Sequence, residues 1–184
     1  MATAKTGSFY LTETVTLAAA SPASSRATGT VDLGAYVNVP TGQALAIESV
    51  DFIYQQTSEY AGGPVATMVA GNAALTVQLT DLNPGSGFVR ADDQSLVASG
   101  CLNIDKTNNI ATHTSDLFPD NFGPTNMSEA FMCVNDSLYL VAGNDDAAVG
   151  GNALYITARI RCRVVKLSQQ DWMAIAIQST ASDN

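Results

Sequence analysis

The chain has 184 residues, with 17 acidic against 8 basic side chains and a formal charge of −9. That balance argues against a nucleic-acid coat or an anionic membrane surface as a whole-molecule partner, because both require clustered positive charge. The length suits one domain that buries roughly 70% of the surface its unfolded chain exposes, so a sizeable core needs no disulfide staple.

The cysteines are Cys101, Cys133 and Cys162, an odd number without CxxC spacing. They are expected to be buried thiols rather than a disulfide framework or a zinc site. No apolar run approaches the roughly 18 to 20 residues of a membrane span. Residues 1–17 also lack the charged-then-apolar order of a secretory signal. The expectation is a soluble single domain, 1–184, with flexible ends at 1–7 and 179–184 and no transmembrane segment.

In chain order, residues 8–17 (SFYLTETVTL) alternate polar and apolar side chains and predict a first strand; 18–25 are small and loop-like. Residues 28–39 and 43–55 read as two long strands joined by a turn at Pro40-Thr41-Gly42, where Pro presets φ and Gly permits a positive one. A long Gly/Ala/Thr-rich loop, 56–72, precedes a clear strand at 73–81. Asn83-Pro84-Gly85 predicts a turn, with shorter strands at 87–90 and 95–104.

Between 105 and 129 the pattern dissolves into Asn, Thr, Asp, Gly and Pro, predicting a second long connection. Strands follow at 131–134 and 137–142, then a Gly/Asp/Asn turn at 143–152 and the longest late strand, 153–166. Ser168 to Asp171 resembles a capping box, with Leu167 placed to staple against Trp172 and a short helix running to about 178. About eight strands, two long connections and no βαβ alternation predict an all-β, antiparallel two-sheet sandwich of jelly-roll type with a short C-terminal helix.

No constellation dictates a reaction. His113 is the only histidine and falls in a stretch that reads as polar loop, where neighbouring Ser and Asp do not supply the spatial convergence of a triad. Nucleotide, zincin and nucleophile-elbow motifs are missing from the sequence. No catalytic, cofactor-binding or metal residue is assigned. Asp92-Asp93, Asp116 with Asp120, and Asn144-Asp145-Asp146 are expected to be turn formers. A structural divalent cation near Asp145 and Asp146 is a secondary expectation, since EF-hand spacing is lacking. The sequons at Asn126 and Asn135 matter only in a secreted glycoprotein.

Arg159, Arg161 and Arg163 alternate along one predicted strand, so all three fall on one face, with Lys166 nearby. These four residues form a candidate subunit-interface stripe. The plainer alternative is an exposed face paired with carboxylates of adjacent strands, contributing little.

Thr30 to Val37 leading into Gln43 to Ile47 and Val50 to Tyr54 resembles the small single-jelly-roll capsid proteins of tailless icosahedral viruses, including those with an internal membrane that infect archaea and bacteria. The resemblance implies a structural, non-enzymatic shell protein of the virion, soluble in host cytoplasm before assembly. It further implies copies of itself as partners, a second capsid protein beside them, and contact with an internal membrane. Residues 1–26 depart from genome-binding arms in holding only Lys5 and Arg26 as basic residues, so direct nucleic-acid binding by the N-terminus is not expected. The rival expectation is a carbohydrate-binding or adhesin-type module gripping a ligand with its long loops; a hydrolase on the same scaffold stands third.

Overall fold

The structure, a computed structural model, describes residues 2–56, 64–117 and 130–180. Within them run β1 (Thr3–Ala4), β2 (Phe9–Leu17), β3 (Arg26–Asp32), β4 (Gln43–Gln55), β5 (Ala73–Thr80), β6 (Leu96–Asp105), β7 (Ile110–Leu117), β8 (Phe131–Cys133), β9 (Ser137–Asp145), β10 (Leu154–Lys166) and a helix, α1 (Gln169–Thr180).

The strand pairing is nested and antiparallel throughout. β2 pairs β10, β3 pairs β9, β4 pairs β8 and β5 pairs β6, first with last and moving inward, as in one long hairpin wound upon itself. Contacts of β10 with β4 and of β9 with β5 close the windings into two sheets. The first sheet runs β2-β10-β4-β8, with β1 pairing the far end of the β10 edge that β2 occupies; the second runs β3-β9-β5-β6-β7. This arrangement is a jelly roll, in which two Greek keys share one core.

Alternation supplies that core. Leu45 and Ile47 of β4, Leu75, Val77 and Leu79 of β5, Leu138 and Leu140 of β9, and Ile156 and Ile160 of β10 are all fully buried between the sheets. Each such side chain stabilises the fold by about 1.5–3 kcal/mol relative to exposure.

Residues 28–39 and 43–55 are not a hairpin. β3 ends at Asp32 and lies in the sheet opposite β4. Asp32 Oδ1 accepts a hydrogen bond from the Gly34 N–H at 2.8 Å, which turns the chain out of β3. Residues 33–42 then cross between sheets and end in a 3₁₀ turn, Val39–Thr41. Gly42 closes it at φ 67, as its sequence context suggested. A Cβ there would sit 2.7 Å from the Leu167 carbonyl oxygen, so conformation and space both call for glycine.

Three further expectations change. The stretch 105–129 contains β7, which pairs β6 across a tight turn; residues 118–129 lie outside the described residues. β7 escapes sequence reading because Ile110, Ala111, Thr112 and His113 are all exposed, leaving no hydrophobic period to detect. No strand forms at 87–90. There the Gln78 side chain imitates a neighbouring strand, its amide donating to the Val89 carbonyl at 2.9 Å and accepting from the Val89 N–H at 2.8 Å. β9 also runs through Gly143 to Asp145, beyond the expected end at 142.

The C-terminal helix forms as its capping signature suggests. Ser168 Oγ accepts from the Asp171 N–H at 3.1 Å, and a hydrogen bond between the Ser168 and Asp171 side chains, the main cause, holds the Asp171 carboxyl below the usual carboxylate range. Leu167 is buried in the cluster against which Trp172 packs, as a hydrophobic staple requires.

Candidate functional site

The face of the β10 sheet that looks away from the core changes character at one residue. In the pairing of β4 with β10, Arg161 lies opposite Ser49 and Cys162 opposite Ile47, which leaves Glu48 as the extra residue of a β-bulge. Before the bulge Leu45 and Ile47 point inward; after it Val50 does, so the apolar step lengthens from two residues to three. Glu48 is thereby turned to the outer side, yet it is only 2% exposed.

The arginine row closes over that carboxylate. Arg161 Nε lies 3.0 Å from Glu48 Oε2, and Arg163 Nε binds Oε1. Ser8 Oγ completes the group, donating between the two oxygens at 3.0 and 2.9 Å. A buried carboxylate without such partners would carry a large desolvation cost, which two guanidinium groups and a hydroxyl offset here. The two guanidinium groups outnumber the one carboxylate, so the cluster keeps a net positive charge. Arg159 takes a different partner, its guanidinium lying 4.8 Å from the centre of the exposed Tyr10 ring.

Arg159, Arg161 and Arg163 thus share the outer face, as alternation predicts. Lys166 does not stand in their row. It has the parity of Ile160 and Cys162, and at the end of β10 it lines a separate groove. This groove, of about 840 Å³, is bounded by Lys5, Lys166, the Val39–Thr41 turn, Leu167 and the first turn of α1 with Trp172 and Met173. Val39 and Met173 are large apolar side chains that are 59% and 57% exposed. Lys5 and Lys166 are two of the three lysines of the chain.

Other candidates are placed as follows. His113 stands in β7, not in a loop, with its ring edge-on to Tyr54 at 6.3 Å between centres. Asp145 Oδ1 accepts from Arg26 Nη2 at 2.8 Å, and Asp146 takes a positive φ of 72° in the following turn. Among the described residues no group of three or more His, Cys, Asp or Glu side chains could hold a metal ion. Asp120 and the Asn126 sequon lie outside the described residues, while Asn135 sits in the turn before β9. All three cysteines are free thiols; Cys133 and Cys162 are buried and Cys101 is partly exposed. Burial is the main cause that pushes the Cys133 and Cys162 thiols up to about 12.

Sequence reasoning found the arginines but missed Glu48 and the groove. The signal for Glu48 was present as the lengthened step from Ile47 to Val50. The groove assembles residues 5, 39, 166 and 173, which no local pattern links.

No protein-family model matches the chain, and no curated protein is significantly similar to it. Among solved structures it is similar to that of apo chimpanzee polyomavirus VP1, at 10% identity and a TM-score of 0.41, over 90% of this chain and 98% of that one. The fold assignment rests on the nested strand pairing, independently of that similarity.

Proposed function

We propose that this chain is a structural subunit of a viral capsid, a tile that assembles with copies of itself and with a second, related capsid protein. The carrying observation is the complete nested jelly roll whose interior is filled by side chains, so that outer faces, rim and edges are what the molecule offers a partner. Jelly rolls serve as viral shell and as lectin domains, and fold alone does not choose between them.

The surface favours the shell. The exposed Tyr10 ring, which a sugar would need, is capped on one face by Arg159, and Trp172 packs its ring beneath α1 against Ala44 and Ala46. The outer face of the β10 sheet is instead a flat row of Thr12, Thr14, Thr157, Arg159 and Arg161 side chains, suited to contact with another protein surface.

Sedimentation velocity of the purified chain from low to high salt, followed by electron microscopy, tests the proposal. Rings or closed particles, from this chain alone or with a co-expressed second jelly-roll protein, are expected. A monomer under every condition that binds a defined glycan would replace the shell by the lectin.

The stripe has its own test in Arg159→Gln. Arg161 and Arg163 also neutralise Glu48, so their removal would confound assembly with stability. Unchanged assembly and unchanged salt sensitivity in Arg159→Gln would remove this arginine from the interface.

A further inference from the structure

One rim of the sandwich carries opposite charges on its two sides. β3 and β10 finish there, while β4 and β9 begin there, as the antiparallel pairing requires. On the β10 side is the groove with Lys5 and Lys166. On the β3 side Asp32 and Asp136 are both exposed, at a corner tied by a 2.7 Å bond from the Leu33 N–H to the Asp136 carbonyl. Gly34 and Ala35, exposed beside Asp32, give that corner a small-residue tip.

We infer that the groove is the socket for the Asp32–Asp136 corner of a second copy of this chain, in a head-to-tail contact that stacks the β10 sheet of one copy on the β3 sheet of the next. Charge decides the partner and the direction. Copies of net charge −9 repel one another, and close approach needs a site where positive charge is concentrated. The groove concentrates two of the three lysines, while the corner offers two carboxylates at the same rim.

A two-fold arrangement centred on the groove would set groove against groove and bring four ammonium groups together. A head-to-tail stack instead pairs every groove with a corner, and such heterologous contacts close into rings when the rotation permits. The exposed side chains of Val39 and Met173 add apolar area to the contact, and a tip built of Gly34 and Ala35 carries no bulky side chain to oppose its entry.

The inference rests on the shell proposal for the presence of neighbouring copies, but it is tested separately. One variant carries Lys5→Glu with Lys166→Glu, the other Asp32→Lys with Asp136→Lys. Each alone is expected to weaken self-association at least about tenfold, because like charges then meet across the contact. A one-to-one mixture is expected to recover it to within about threefold of the parent, since each variant's altered surface now fits the other. Asp32 also turns the chain through Gly34, so the single changes Lys166→Glu and Asp136→Lys repeat the test wherever circular dichroism shows a misfolded double variant.

Folded variants that fail to rescue each other, a parent that never self-associates, or a parent whose association ignores the reversals would overturn the socket. So would a groove in which Lys166→Glu abolishes binding of dodecanoate but leaves self-association intact. Shells that form regardless of the reversals would leave the capsid proposal standing without the socket. Charge-rescued association that never yields a shell would leave the socket standing without the capsid.

Discussion

The outer face of the β10 sheet divides at Glu48 into two regions built on different physics. Toward the groove it is made of small apolar residues, Ala44, Ala46 and Val165, covered by Trp172, Ile175 and Ala176 of α1. Beyond the bulge it is polar and open, with Ser49, Asp51, Arg159 and Arg161. Ala44 and Ala46 leave room for a helix to lie against the strand, whereas an arginine row holds a helix off and stays wet. One inserted residue marks the change and places a carboxylate where two guanidinium groups can meet it.

Substitutions can break this comparison. Ile160→Ala, on the inner side of the same strand, is expected to have the largest effect, about 3–4 kcal/mol in urea unfolding, because Ile160 is fully buried. Glu48→Ala should cost about 2–3 kcal/mol, since it removes the carboxylate that the largely buried Arg163 guanidinium binds. If Glu48→Ala proves no more costly than an exposed carboxylate substitution, the buried cluster is not a support of the polar region. Arg161→Gln should cost much less than Glu48→Ala, because the Arg161 side chain is 51% exposed and water replaces its partner.

On the other region, Trp172→Ala is expected to cost about 1.5–2.5 kcal/mol and to raise amide exchange along α1 more than in the β4–β10 ladder. Equal exchange in both elements would mean that the helix and sheet open as one unit. Arg159→Gln, which loses a contact with an exposed tyrosine ring, should change stability by less than about 0.5 kcal/mol.

The smallest effect near neutral pH is that of the buried thiols. Their folded pKa values stand near 12, above the roughly 8.5 of a free thiol. The stability they contribute is therefore complete below about pH 8.5 and is lost as the pH rises toward 12. A maleimide at pH 7 should label Cys101 well before Cys133 and Cys162, and rapid labelling of all three would contradict their burial.

Much of this was legible from local pattern. β2 and most of β10 alternate buried with exposed side chains, and the apolar, β-branched runs of β4, β5 and β9 mark strands although parts of them are buried on both faces. β7 was hidden because neither of its faces is apolar over residues 110–113, and the short segment at 87–90 looked like a strand although a glutamine side chain does the pairing. The arginine row followed from alternation alone. Its engagement with Glu48 did not, since 113 residues separate Glu48 from Arg161 and only the register of β4 against β10 brings them together.

By itself, the sequence determined that this is an all-β chain with a capped C-terminal helix, that its arginines share a face and that its acidic balance disfavours polyanionic partners. These follow from periodicity, capping chemistry and charge, which act over a few residues or over the whole composition. Tertiary structure alone decided that β3 and β4 lie in opposite sheets, that Lys166 meets Lys5 in a groove, and that an acidic corner stands on the other side of the same rim. Those relations depend on how a long hairpin winds on itself, and winding is settled by burying both apolar faces at once rather than by any single stretch of chain.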